Sequence, residues 1–348
     1  MTPRVNILTS AVEVASAREA KSAPANSVYS ISALESACRD AHRRKLFCNA
    51  FFKQGLPLAE CLRKAPELAG AFNFHPLELM ERHDSKIDGA TKLVFQTADG
   101  YCIESVILRI ATGRTSLCIS SQIGCPAKCT FCATGALQFI RSLTAGEILD
   151  QVTQARRLLR GEGRALRNVV FMGMGEPLLN CGALFESLEL LRDTRFFNFS
   201  GNHLLVSTAG IPAAVVEFTA HFPAVRLAFS LHSAQQEVRE KLMPVAKIHT
   251  LKKLKAAFPE NFMIEYLMLQ GVNDSPADAA ALIGFLAGTN AHINLIQFNP
   301  YPGAPFEPVS KAAREAFGKE LRRAGFKTTL RYSLGDDIAA ACGQLAGK

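Results

Sequence analysis

The chain has 348 residues, and 39 Lys and Arg against 31 Asp and Glu leave a formal charge of +8. A composition of 48% hydrophobic and 20% charged residues excludes a disordered, collagen-like or fibrous chain. No apolar run approaches the roughly 20 residues that cross a bilayer, and no basic-then-apolar leader opens the sequence, so we expect a soluble, cytoplasmic protein with no membrane partner.

Residues 1–28 lack an apolar period and contain Pro24, which predicts a loosely ordered tail. Leu34, Cys38, Leu46, Ala50 and Phe51 then recur at helical spacing, predicting a helix over 33–54 that Gly55 and Pro57 end. Shorter helices are expected over 58–72 and 76–82, giving a helical accessory domain over 29–88. Apolar segments at 92–96 and 101–110 flank Asp99-Gly100, the signature of a β-hairpin extension over 89–111. From 112 to 348 short apolar segments at 117–121, 168–172, 204–207, 226–231, 263–269, 293–298 and 328–332 alternate with amphipathic helices. The clearest helix runs over 147–160, and Thr144 ahead of Glu147 forms a capping-box pattern. Such alternation specifies an α/β fold with a mostly parallel sheet, open or closed into a barrel. Chemistry in such folds sits in the loops after the strands.

Ten cysteines are too few for a disulfide scaffold in a chain this long. Three of them, Cys125, Cys129 and Cys132, form a C-x3-C-x2-C triplet in the loop after the first barrel strand. Three thiolates in one loop can ligate three irons of a 4Fe-4S cube and leave the fourth open to a small molecule. A structural zinc would want four closed ligands, and no second ligand pair stands at the usual spacing. The string Phe171-Met-Gly-Met-Gly-Glu-Pro177 places two glycines where backbone can approach a ligand, with Glu176 as an acceptor for an ammonium. By itself it reads equally well as a tight strand-to-helix turn. His232 alone reads as a structural histidine, Cys118 as a buried thiol, Cys342 as a loop thiol, and Glu104 as a solvated strand-edge carboxylate. Cys38, Cys48, Cys61, Cys102 and Cys181 read as small buried hydrophobes.

The triplet, the longer string Cys118-Ile-Ser-Ser-Gln-Ile-Gly-Cys125, Phe229-Ser-Leu-His-Ser233, Asn299-Pro-Tyr-Pro-Gly-Ala-Pro305 and the segment from Gly335 to Leu345 together carry a resemblance. Over roughly residues 33–347 the sequence resembles the radical S-adenosylmethionine rRNA adenosine methyltransferases of the RlmN/Cfr type. The resemblance implies a partial (β/α)6 barrel over 112–348 with a C-terminal catalytic loop. It implies one 4Fe-4S cluster on Cys125, Cys129 and Cys132, and S-adenosylmethionine held by Gly175, Glu176, Ser207, Ser230, Leu231, His232 and Asn299. It further implies that Cys342 accepts a methyl group, that Cys118 resolves the protein–substrate adduct through a disulfide, and that Glu104 is a proton acceptor. Two thiols suit the chemistry, because an electrophilic base carbon can be attacked by a radical on a sulfur-bound methylene, and the adduct then needs thiol exchange for release.

The implied substrate is an adenosine of 23S rRNA, with tRNA as a second substrate class. Glu176-Pro177 and Pro302-Gly-Ala-Pro305 favour the carbon-2 branch. Phe229 to Ser233 and Leu242-Met-Pro244 resemble the carbon-8, antibiotic-resistance branch, and Leu334 departs from the carbon-2 branch, which carries Arg there. A flavodoxin or ferredoxin is the expected electron donor and a monomer the expected state. The alternative of another class is a non-catalytic zinc or Fe-S RNA-binding protein, which would need no cysteine pair. Basic clusters at 42–45, along Arg156, Arg157, Arg160, Arg164 and Arg167, at Lys252, Lys253 and Lys255, and at Arg322 and Arg323 read as solvated helix faces, some available to RNA phosphates.

Overall fold

The computed structural model describes residues 27–347; of the tail expected over 1–28, all but the last two residues lie outside this range. One ten-stranded sheet organises these residues. Its parallel part is β4 (Thr115–Cys118), β7 (Asn168–Phe171), β8 (Leu204–Thr208), β9 (Arg226–Ser230), β10 (Asn261–Met268), β11 (Asn290–Gln297) and β12 (Lys327–Arg331), in that order. These are the seven strands the apolar segments predict. They form six β/α units closed by a terminal strand, with helices such as α5 (Ala145–Gly161) at the crossovers. The capping box at its start is present, with the Thr144 hydroxyl accepting from the Glu147 N–H and the Glu147 carboxylate accepting from the Thr144 N–H.

On the β4 side the sheet continues antiparallel through β3 (Cys102–Arg109), β2 (Ala90–Thr97) and β1 (Leu77–Asp84). The helix expected over 76–82 is therefore wrong, and the extension has three strands. Leu77 and Leu79 face inward, while Glu78, Glu81, Arg82 and His83 are left at a bulged outer edge. Charges and a bulge of this kind protect an edge strand and mask its period of two. The expected helix over 33–54 is also interrupted. It divides into α1 (Ile31–Ala37) and α2 (Ala41–Cys48), because the Asp40 carboxylate accepts from the His42 and Arg43 N–H groups and restarts the helix as a cap. A π-turn over Asn49–Lys53 follows. The helix expected over 58–72 stops at Leu62 (α3, Leu58–Leu62), since Pro66 lacks the donor needed to continue.

The accessory segment has an aromatic cluster of its own, in which Phe51 meets Phe47, Phe52 and Phe74, and it joins α5 through polar contacts. The buried Tyr29 hydroxyl bonds Asp150 and Thr153 of α5 at 3.0 Å each. Arg156, Arg157 and Arg160 are drawn into this seam. Arg156 donates to the Phe52 and Phe197 carbonyls and lies 4.3 Å over the Phe199 ring, Arg157 pairs with the His75 ring, and Arg160 donates to the Gln54 carbonyl. Arg156 and Arg157 of this basic cluster are half-buried and join two parts of the chain, whereas Arg160, Arg164 and Arg167 stand exposed.

Candidate active site

The cysteine triplet lies in a loop whose backbone leaves no room for side chains at two places. A Cβ at Gly124, which has φ +72°, would strike the Gln138 carbonyl, and one at Gly135 would strike the Cys129 carbonyl. The loop closes when β5 (Gln122–Ile123) pairs with β6 (Arg141–Ser142). Arg141 holds this closure by bidentate contacts to Asp99 in the β2–β3 turn and to Glu147 on α5, at 2.7–2.9 Å.

Cys125, Cys129 and Cys132 line one cavity together with Gly173, Gly175, Glu176, Ser207, Ser230 and His232. Burial pushes all three thiols up, Cys125 to about 12, so bare thiolates are costly here and a bound metal that neutralises them is the stable arrangement. Among the described residues no three His, Cys, Asp or Glu side chains converge closely enough to hold a single ion. Three thiolates on one loop suit a cube, in which each thiolate would bind a different iron.

The glycine turn after β7 carries the other wall. Gly175 has φ +104°, and a Cβ there would meet the Gln122 side chain at 2.6 Å. Glu176 is buried, and its carboxylate accepts from the Leu178 N–H (3.0 Å), the Thr208 hydroxyl (2.7 Å) and the Ala209 N–H (2.6 Å). A carboxylate offers about four acceptor sites, so one remains. Burial nonetheless raises its pKa. His232 holds a left-handed φ of +56°, a strain that marks functional positions. Its Nδ1 accepts from the Leu267 N–H at 3.0 Å, so Nε2 bears the proton, and burial lowers the ring pKa to about 3. The Ser207 and Ser230 hydroxyls lie 3.4 Å apart at the ends of β8 and β9.

A second cavity adjoins the first. Cys132, Met172, Gly173, Arg331, Cys342 and Gly343 line both, whereas Cys118 lines only the second, with Val106, Leu108 and Leu334. The two thiols that sequence reasoning separates by more than two hundred residues thus share one cavity. Burial pushes Cys118 up to about 12, so it rests as a thiol. The Cys342 loop is tied down from several sides. Gly343 accepts from the Ala133 N–H, Leu345 from the Thr134 hydroxyl, and Gln344 donates to the Pro300 carbonyl and Asp336.

Three expected site residues stand back from the cavities. Leu231 is fully buried and lines neither. Asn299 donates to the Ser333 hydroxyl and to the Cys342 carbonyl. Glu104, 1% exposed rather than solvated, ion-pairs with Lys92 at 3.3 Å and accepts from the Ala346 N–H at 2.9 Å. Two residues went unremarked in the sequence, Glu265 and Arg331, which face each other at 3.8 Å and both line the first cavity. Glu265 is a lone charge inside an otherwise apolar strand, which was the available signal for it, whereas Arg331 ends a strand that also carries Lys327 and two threonines.

Residues 119–283 match the model of the radical SAM superfamily. A probable RNA methyltransferase of Rhodopirellula baltica is 51% identical over 292 residues, 82% of this chain and 77% of that protein. A probable dual-specificity RNA methyltransferase RlmN of Thermus thermophilus is 39% identical over 304 residues, 85% of this chain and 84% of the relative. The crystal structure of a radical SAM methyltransferase from Sphaerobacter thermophilus superposes with a TM-score of 0.83 at 34% identity, covering 92% of this chain and 99% of the other.

Proposed function

Because the chain belongs to the RlmN family of radical S-adenosylmethionine RNA methyltransferases, we propose that it methylates an adenosine base carbon in 23S rRNA, carbon 2 in preference, through a methylated Cys342. The observation that carries this reading is the position of Cys342 on the wall common to two cavities, one shared with the cysteine triplet and one with Cys118. A carrier must face both a methyl donor and an acceptor base, and this residue borders both spaces.

Cys125, Cys129 and Cys132 would hold the 4Fe-4S cluster, and Gly175, Glu176, Ser207, Ser230 and His232, which line the same cavity, would receive S-adenosylmethionine. When bound, the pair supplies a methyl group and a 5′-deoxyadenosyl radical. The residues of the chain do the rest. The Cys342 sulfur takes the methyl group, one hydrogen atom of that methyl passes to the 5′-deoxyadenosyl radical, and the carbon left behind bonds to the base; the adduct would then return its unpaired electron to the cluster and lose the proton of the attacked carbon to solvent. Cys118 gives up its proton and attacks the Cys342 sulfur. The S–CH2 bond to the base breaks as an S–S bond forms, the released carbon takes up the proton that Cys118 gave up and so becomes the methyl group, and an external dithiol restores both thiols. His232, neutral with its proton on Nε2, lines this cavity and would have that N–H to offer the cofactor. Asn299 and Glu104 act on the loop that carries Cys342, one on its carbonyl and the other on the Ala346 N–H, and Leu231 supports the site from the core.

Among the described residues no helix is long and apolar enough to cross a membrane, in keeping with a cytoplasmic enzyme acting on rRNA and on tRNA, reduced by a flavodoxin or ferredoxin and working as a monomer. Two thiols in one cavity weigh against a non-catalytic zinc or Fe-S RNA-binding protein. The carbon-8 alternative draws on Leu334, an apolar residue lining the second cavity. Mapping methyladenosines by mass spectrometry in rRNA and tRNA from cells with and without the protein tests the reading, and loss of 2-methyladenosine is the expected result. Retention of every methyladenosine would refute it, and loss of 8-methyladenosine would move the target to carbon 8.

A further inference from the structure

Arg331 is the only lysine or arginine, among the described residues, that lines either cavity, and it lines both. Its side chain is 30% exposed, and its Nη1 lies 3.8 Å from Glu265 Oε2 and 3.5 Å from the Met172 sulfur. A guanidinium carries five N–H donors in a plane, and a thioether is a weak acceptor, so most of them have no acceptor within the protein. Glu265 supplies countercharge without consuming them. Its side chain is 3% exposed, Oε1 accepts from Asn294 at 2.9 Å, and Oε2 has no hydrogen-bond partner. The second cavity is lined by Arg331 together with Cys118 and Cys342.

That location constrains what the guanidinium meets. On the reading proposed above, the Cys342 carbon bonds to the target carbon and Cys118 must then reach the Cys342 sulfur, so the base carbon sits between the two thiols. In adenine, carbon 2 lies between N1 and N3, and carbon 8 adjoins N7; each of these nitrogens is a hydrogen-bond acceptor. We propose that Arg331 donates a hydrogen bond to the ring nitrogen next to the methylated carbon, seating the extruded adenine and activating that carbon. Such a bond draws electron density out of the C–N bond, and a carbon so depleted accepts a sulfur-substituted methylene radical more readily. The fork also fixes the plane of the base, as arginine does with ring acceptors elsewhere. Leu334 and the apolar side chains of β3 supply the remaining walls, an arrangement suited to a base taken out of its stack.

This inference rests on the methyl-Cys342 reading, so the experiment follows two partial reactions in a Cys118→Ala background, where adduct accumulates. Methylation of Cys342 is read by mass spectrometry of the protein without RNA, and adduct formation by denaturing gel in a single turnover with substrate RNA. Arg331→Met combined with Glu265→Gln avoids leaving a buried carboxylate unpaired, and Arg331→Lys retains charge without the fork; cluster absorption reports that each variant is folded. We expect Cys342 methylation within twofold of the parent, adduct formation at least a hundredfold slower in the double variant, and an intermediate loss with lysine. Equal loss of Cys342 methylation would mean that Arg331 serves the thiol, and an unchanged adduct rate would mean that it serves neither; both overturn the proposal alone. Absence of methyl-Cys342 in the parent would overturn the reading beneath it as well.

Discussion

The Thr134 hydroxyl, two residues beyond Cys132, donates to the carbonyl oxygen of Leu345 at 2.6 Å. With the Ala133 N–H bound to the Gly343 carbonyl at 2.7 Å, it couples the loop of the cysteine triplet to the loop of Cys342. One side of the site therefore sets the position of the other. Thr134→Val keeps the volume and removes the donor, leaving a buried carbonyl short of a partner, a loss of about 1–3 kcal/mol. We expect iron and sulfide content to stay near that of the parent protein while RNA methylation falls tenfold or more. Normal turnover in Thr134→Val would show that the coupling has no bearing on catalysis.

The loop of the cysteine triplet depends on two glycines for different reasons. At Gly124 a side chain meets both a left-handed φ and the Gln138 carbonyl, whereas at Gly135 the obstacle is the Cys129 backbone alone. Alanine at either position must displace backbone, and backbone does not yield as a flexible side chain does. Anaerobically reconstituted Gly124→Ala and Gly135→Ala proteins should hold less than half the iron of the parent, whereas Gly182→Ala, which has no left-handed φ and whose Cβ meets nothing within 4 Å, should hold it all. Iron and sulfide assays decide the matter.

The loss of any one cluster cysteine tests the ligand set. We expect Cys125→Ala, Cys129→Ala and Cys132→Ala each to lose visible absorption and reductive cleavage of S-adenosylmethionine, because three thiolates are the minimum the loop offers. Full iron retention with normal cleavage in all three would remove the assignment.

Arg141 holds Asp99 well below the usual carboxylate range, chiefly through their hydrogen bonds. The folded-state pKa lies under the unfolded value of about 3.9, so the pair's contribution is present above about pH 4 and is lost as pH falls through the folded value. The Asp99 side chain is 43% exposed, which limits the effect to about 1 kcal/mol or less. Urea unfolding from pH 7 to pH 2.5 should show a shallower acid slope for Asp99→Asn than for the parent. Parallel curves would remove the pair from the acid response.

Much of this architecture is legible in the sequence because the parallel strands are buried on both faces and so read as uninterrupted apolar runs, as at Asn168–Phe171 and Leu204–Thr208. The cysteine triplet is equally plain, since its three cysteines lie within eight residues of sequence. Strand Leu77–Asp84 is not, because its outer half is charged and its bulge shifts the period. Helix Ile31–Ala37 ends early for a local reason, a capping aspartate, that the wider apolar period hides. The pairing of Cys118 with Cys342, and of Arg331 with Glu265, arises only when the barrel brings strand ends together, and no spacing within the chain encodes it. Leu231 illustrates the converse, since a motif can carry a residue whose side chain lies in the core.

The two-thiol account makes opposite demands on Cys118 and Cys342. Replacing Cys342 removes the carbon carrier, so neither methyl-cysteine nor cross-linked RNA can form. Replacing Cys118 spares both steps and removes only the thiol that releases the adduct. The direct measurement is a denaturing gel, with mass spectrometry of the nuclease digest, of each variant after anaerobic incubation with substrate RNA, S-adenosylmethionine and reductant. The account predicts a covalent protein–RNA adduct through Cys342 in Cys118→Ala and none in Cys342→Ala. Normal turnover by Cys118→Ala, or an adduct in Cys342→Ala, would contradict it.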